Sequence, residues 1–430
     1  MKKNEPMKED FLHYLWQYQL FDTADLQSTS GEKIKIYKPG RLNRNAGPDF
    51  LEAKLQIGDQ LWVGNVEIHL NSSDWYVHNH EQDTAYDTVI LHVVWQEGMP
   101  VFRKNNTPVS TLVLAGLVPK YIQDNYQKLF NTQKKWIACE DSLPVVDSWV
   151  QAHWIERLYV ERLHHKSTYI ESLLAQTQND WEAVLFRLLL KNFGLKVNGE
   201  NFANLSQTID FKVFRKEITN SVRLEALLLG QAGLLSGTYE DAYFGQLKEI
   251  YQFQKNKYQL ESTVRVQFFR LRPPNFPTIR LAQLAALYAG KQHFFQSLMQ
   301  EDNIDALRVL LHAQAGEYWN THYVFGKESK KSIKRTTKSL IDLVLINTII
   351  PLKFAYQKSM GNYEPESLFS IMQAIKAEQN SIVKNFEKHN IKVSNAMESQ
   401  ALLTLKSDYC NKQACLQCEI GMKILKHTAG

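Results

Sequence analysis

The sequence predicts an α+β protein, with an N-terminal α/β unit over residues 1–118 and a large all-helical domain over residues 119–430. Up to residue 118 apolar residues alternate with polar ones in short runs, the period of strands. Beyond it they recur every three or four residues, the period of helices. Hydrophobic residues make up 44% and charged residues 22% of the 430 residues, a balance that supports folded cores and argues against long disorder.

The elements follow in order. A helix begins near residue 9, with Phe11, Leu12, Leu15, Trp16 and Gln19 on one face. Glu9 and Asp10 fill its first turn, where the helix dipole favours carboxylates. Strand patterns occupy residues 33–37, 51–57, 61–70, 89–95 and 111–114. Gly58-Asp59-Gln60 reads as the hairpin turn between the second and third. In the helical domain Val150, Trp154 and Leu158 stripe a helix over 146–174. A second helix over 180–193 stops at Gly194, read as a C-terminal cap. A third opens after Pro277, with Thr278 as its cap and Leu281, Leu284, Ala285 and Tyr288 as its stripe. Further helical patterns cover 302–315, 338–356, 364–379, 397–407 and 416–426, and no fixed-period repeat is present.

Composition narrows the functional classes. Lys+Arg number 50 against 45 Asp+Glu, a net charge of +5, so any nucleic-acid surface must come from local clustering. The first twelve residues mix lysines with acids and have no apolar stretch, unlike a signal peptide. The most apolar segment, 340–352, is interrupted by Asp342, Asn347 and Pro351 and is too short to span a bilayer. Four cysteines do not make a disulfide scaffold. The expectation is a cytoplasmic protein without membrane association.

The densest chemistry lies between Arg41 and His92. Glu67 and His69 stand two apart on a strand and leave the same face. Asp49 opens the preceding strand of the same hairpin. Carboxylates and a third polar group converging at strand ends are what Mg²⁺ or Mn²⁺ requires, and such a cation activates water at a phosphate. The plainer alternatives are a turn-forming Asp49, a Glu67 paired with Arg41 or Arg44, and core histidines at 69 and 92.

In its order, Pro48-Asp49 followed by Glu67-Ile68-His69, this region resembles the PD-(D/E)xK nuclease superfamily over roughly residues 8–97. The resemblance implies a helix, a strand meander, a second helix near 74–86 and a further strand at 89–95. It implies Asp49 and Glu67 as metal ligands, Glu9 or Asp10 as an additional helix carboxylate, and His69 in the water- or phosphate-orienting position. There the superfamily carries a lysine. A different use of the same segment gathers His69, His78, His80, His92 and Asp87 as imidazole and carboxylate ligands for zinc. A third reading keeps the fold without catalysis, as a scaffold or binding protein.

Two further runs stand out. Cys410, Cys415 and Cys418 are spaced Cys-x4-Cys-x2-Cys, and Cys139 is the fourth cysteine of the chain. Soft thiolates at this spacing select zinc or an iron–sulfur cluster, and the plainer alternative is free cysteines buried on a terminal helix. Arg270, Arg272 and Arg280, interleaved with Phe268, Phe269 and Phe276 around three prolines, carry the pattern of phosphate contact and base stacking. Their alternative is a buried loop with paired arginines. The basic run over 327–338 reads as a solvated loop with phosphate contact as the lesser use. Taken with Gly47-Pro48-Asp49-Phe50 and Arg272-Pro273-Pro274-Asn275-Phe276-Pro277, the chain resembles a bacterial domain-of-unknown-function family, number 2851, which implies no established activity.

Overall fold

The computed structural model describes residues 7–130, 135–261 and 263–428. Residues 1–6, part of the leading segment weighed above as a signal peptide, lie outside that range. The chain divides into two compact units. One comprises Met1–Ile155, Lys388–Ile391 and Leu403–Gly430, the other Glu156–Glu387 and Lys392–Leu402. The change of period at residue 118 therefore marks a change of secondary structure inside the first unit. Helices Lys120–Phe130 and Glu419–Lys426 pack together within that unit.

The first unit opens with α1, Glu9–Tyr18, which buries Phe11, Leu12, Tyr14, Leu15 and Trp16. The Trp16 indole N–H donates to the Pro39 carbonyl at 2.9 Å. Gln19, expected on the apolar stripe, is exposed and closes the helix in a left-handed conformation, φ 49°.

Seven strands make one sheet: β1 Leu26–Gln27, β2 Lys33–Lys38, β3 Arg41–Leu42, β4 Phe50–Ile57, β5 Gln60–Asn71, β6 Val89–Gln96 and β7 Ser110–Val113. The order is β1-β2-β4-β5-β6-β7, with β3 also on β4. Pairing is antiparallel as far as β5 and parallel for β5-β6-β7. Gly58 at φ +58° allows the tight loop that puts Ile57 opposite Gln60.

The parallel step from β5 to β6 cannot be closed by a hairpin, so the chain crosses the sheet face. It does so with α2, Asp74–Val77, and two 3₁₀ turns, His80–Gln82 and Thr84–Tyr86. The single helix expected near 74–86 is thus broken. Asn79 turns left-handed, and Asp83 is extended, its carboxylate capping the next turn by accepting from the Ala85 N–H. Trp75, Val89, Val101 and Val109 form a buried cluster with Tyr76 and Tyr86 against it.

The second unit is helical apart from a small hairpin, His322–Val324 with Lys327–Glu328. Helix Trp181–Phe193 starts from Asp180, whose carboxylate accepts from the Ala183 N–H. Gly194 ends it, but in a right-handed conformation; Leu195 takes the positive φ instead. Glycine is needed at 194 for space, since a Cβ would lie 2.5 Å from the Asn198 carbonyl oxygen. Helix Pro277–Tyr288 begins with its proline in the first turn. Thr278 is not the cap, because its hydroxyl donates to the Tyr323 carbonyl. The helix Lys338–Ser359 contains a π-turn at Leu345–Ile349 and is, by length and composition, long and apolar enough to cross a membrane. Most of its apolar window, 72%, is buried, the packing of a core helix and compatible with a soluble protein.

Candidate metal centre

The crossover lays its side chains over the strand pair β5-β6. Glu67 pairs in register with His92, so both leave the same face, as does His69 two residues on. His69 Nδ1 lies 2.8 Å from His92 Nε2, and His69 Nε2 lies 3.1 Å from His78 Nδ1. Glu67 Oε1 is 3.2 Å from His80 Nε2 and 3.6 Å from His69 Nε2. His69, His78 and His80 each bring one ring nitrogen within 4.8 Å of the other two.

Asp49 joins from the start of β4. Its backbone N–H donates to Glu67 Oε2 at 3.1 Å, and its Oδ2 accepts from the Ile68 N–H at 2.9 Å. The same oxygen lies 3.1 Å from His13 Nε2 on α1. Two register shifts flank this point, one in β4 between Phe50 and Ala53 and one between Asn65 and Val66. Such bulges re-aim side chains next to functional sites. At the first, Glu52 takes φ +59°, and its N–H donates to Asn65 Oδ1. The Asn65 side-chain amide in turn donates to Thr88 Oγ1 at 2.8 Å, which ties the bulge to the end of the crossover.

The site has a dry end and a wet end. Glu67, His69, His80 and His92 are buried, Asp49, Glu9 and His13 are half-buried, and His78 is exposed. Burial, reinforced by His92, His80, His78 and His13, pushes His69 down to about 2. Burial also pushes His92 down to about 3, with His80 adding to it. Both rings are therefore neutral at physiological pH and carry a free lone pair. Burial raises the Glu67 carboxyl, and neighbouring Asp49 raises it further against the opposing pull of His80. Glu9 is raised by the same two causes, burial and then Asp49. Burial alone would lower His13, but the Asp49 carboxylate outweighs it, and the net shift is upward.

A divalent cation fits this donor set. The Nε2 atoms of His13 and His80 are buried without an aligned hydrogen-bond partner, although each lies close to a carboxylate oxygen. Ring nitrogens that approach carboxylates without hydrogen-bond geometry suit a shared positive ion. It would also relieve the crowding that raises Glu9 and Glu67. Residues 9–381 match the family described as "Protein of unknown function (DUF2851)". The chain belongs to that family. The DUF2851 match takes in every carboxylate and histidine of the site and Cys139, and it ends before Cys410, Cys415 and Cys418. No curated protein and no solved structure matches the chain.

The fold therefore brings Asp49, Glu67 and His69 together and adds His78, His80 and His92 to them. It also adds Glu9 and His13, which stand one turn apart on α1. Sequence reasoning reaches Glu9 and misses His13, although the Glu-x3-His spacing puts both on one helix face. Asp10 is exposed on that helix, and Asp87 is exposed within the field of Arg103. Neither makes a described hydrogen bond or ion pair with the site, although the Asp10 charge adds to the upward shift of His13. In the second unit Arg270 and Arg272 are exposed, with the Arg270 guanidinium 5.1 Å from the centre of the exposed Phe269 ring. Arg280 is different. It is buried, and its guanidinium donates to Asn275 Oδ1 and Gln283 Oε1. Cys139, Cys410, Cys415 and Cys418 all lie in the first unit, and among the described residues no three of their sulfurs come within 4.8 Å of one another.

Proposed function

We propose that this DUF2851 chain is a divalent-metal-dependent phosphodiester hydrolase, a nuclease or a nuclease-derived nucleic-acid-binding protein. The convergence of Asp49, Glu67 and His69 at the bulged start of β4 and the middle of β5 carries this reading. The helix–meander–crossover–parallel strand order supports it. Asp49, Glu67 and Glu9 would hold Mg²⁺ or Mn²⁺, which when bound supplies a water acidic enough to attack at neutral pH and stabilises charge on the phosphate.

The residues constrain the chemistry further. A neutral His69 cannot lend positive charge to a phosphate as a lysine would. What it offers is a lone pair and an N–H. With Nε2 left free as an acceptor or ligand, the proton sits on Nδ1 and is donated to His92 Nε2, which fixes the ring. Asp49 orients Glu67 through its backbone N–H and is itself held by the Ile68 N–H. The exposed His78 marks the side from which a phosphate would enter. A cytoplasmic location is part of the proposal, in keeping with four free thiols.

One observation favours a second reading. The mutual approach of His69, His78 and His80 supports a zinc-dependent hydrolase, since imidazole suits zinc better than magnesium. Incubation of the purified chain with single- and double-stranded DNA and with RNA, each with Mg²⁺, Mn²⁺ or Zn²⁺, tests both. Cleavage with Mg²⁺ or Mn²⁺ that disappears in Glu67→Gln supports the first reading, and cleavage with Zn²⁺ alone the second. No cleavage under any combination leaves a binding protein.

A further inference from the structure

The four cysteines of the chain stand at positions 139, 410, 415 and 418, and the fold assigns all of them to one compact unit. Chance burial does not account for the way they are presented. A π-turn, Leu405–Cys410, delivers Cys410 at its end, and the following loop folds back so that the Ala414 N–H reaches the Tyr409 carbonyl at 2.9 Å. The 3₁₀ turn Cys415–Gln417 comes next, and extended Cys418 caps helix Glu419–Lys426. That helix packs on the Cys415–Gln417 turn and on the turn Glu140–Val145, which Cys139 opens. Gly421 seats it. A Cβ there would lie 2.2 Å from the Cys415 carbonyl oxygen, so only glycine lets the helix close on the Cys415–Gln417 turn.

Two features of the surroundings favour negative sulfur. Cys418 is the extended residue that opens helix Glu419–Lys426, so it stands at the helix N-terminus, where unpaired backbone N–H groups favour negative sulfur. Lys406 lies within the field of Cys410 and is held by the Trp136 carbonyl at 2.7 Å, over the Trp136 ring. A helix N-terminus and a nearby ammonium both stabilise thiolates. Burial works against them. Burial, together with the neighbouring thiols, pushes Cys410 and Cys415 up to about 12. All four are free thiols.

We propose that Cys139, Cys410, Cys415 and Cys418 form a four-thiolate metal centre that ties the turn at residue 139 to the C-terminal helix. The shared chemistry is a soft cation bound by deprotonated sulfur, either one zinc ion or an iron–sulfur cluster. A single tetrahedral zinc with bonds of about 2.3 Å would draw the sulfurs to about 3.8 Å. Among the described residues, the trio of ligand atoms found within 4.8 Å of one another is made of histidines and not of thiols. The centre is separate in its ligands from the carboxylate–histidine site, and it stands or falls independently of the hydrolase reading.

The test uses the full chain, purified without added chelator under anaerobic conditions from metal-replete cells. Iron, acid-labile sulfide and zinc are measured per chain, with X-ray absorption at the edge of whichever metal is found. Stoichiometric iron and sulfide with visible colour, or stoichiometric zinc with a sulfur shell, supports the centre and names its metal. That metal should be lost in Cys415→Ser and in Cys139→Ser and retained in Glu67→Gln. The native parent should also resist thiol reagents until the metal is removed, a readout that does not depend on the variants folding. Four freely reacting thiols and no stoichiometric metal would overturn the proposal. So would a disulfide among them, or metal seen only in a nitrogen and oxygen shell.

Discussion

Replacing Glu67 by glutamine should have opposite consequences with and without metal. The side chain is 5% exposed, accepts the Asp49 N–H and faces His80 and His69 at 3.2 and 3.6 Å. Glutamine keeps the shape and retains an oxygen for the Asp49 N–H, a hydrogen bond with a net worth of about 1 kcal/mol. What it removes is a buried negative charge. Because the folded carboxyl is raised above its ordinary value, its ionisation opposes folding. That cost is absent below the unfolded pKa and complete once the pH has risen through the folded one. Metal-free Glu67→Gln should therefore be as stable as the parent at neutral pH, or more so. With metal the balance reverses. A cation at about one hundred times its Kd stabilises the parent by about 2.7 kcal/mol. That corresponds to roughly 5–10 °C in unfolding midpoint for a cooperative unit of 150–250 residues. The variant should lose most of this gain. Thermal unfolding with Mn²⁺ and with Zn²⁺, against chelator, reads both limbs. Equal metal-induced stabilisation of parent and variant would refute Glu67 as a ligand. A metal-free variant several kcal/mol less stable would refute the account of its charge.

The second unit supplies two further tests. Burial pushes Glu225 up to about 7 despite hydrogen bonds from the Trp319 indole and the Tyr243 hydroxyl. Stability should fall by about 3 kcal/mol as the pH rises from about 4.5 through 7. Glu225→Gln should flatten that slope in denaturant titrations, and an unchanged slope would exonerate this group. Arg280→Ala strips both Asn275 and Gln283 of a charged donor and should cost about 2–3 kcal/mol. Exposed Arg272→Ala should change stability by less than about 0.5 kcal/mol. It should instead lower the salt slope of any nucleic-acid binding by about one. Equal stability losses for the two would contradict their different burial.

Local chemistry makes much of the first unit legible from the chain alone. Alternation in Leu51–Ile57, the loop at Gly58-Asp59 and the apolar run after Val89 follow from side-chain period and turn chemistry. These act between near neighbours, and the strands form where they indicate. Glu67 and His69 share a face because a strand has period two. The grouping of the three tail cysteines with Cys139 is likewise suggested by their scarcity.

Other features have no local signal. The helix expected near 74–86 breaks into short turns because a parallel step between β5 and β6 must fit over the sheet. Gly194 and Thr278 look like caps, yet their roles are set by Asn198 and Tyr323. Arg280 reads like its exposed neighbours until helix Pro277–Tyr288 turns it inward. The strand register that puts His92 behind His69, and the packing that brings His13 onto Asp49, join residues far apart in the chain. Composition and spacing alone could name the donor types, a carboxylate pair, a histidine group and a thiol group. Which of them come together is a matter of distance, and distance between remote residues is decided by how the sheet, α1 and the crossover pack. No period along the chain encodes that.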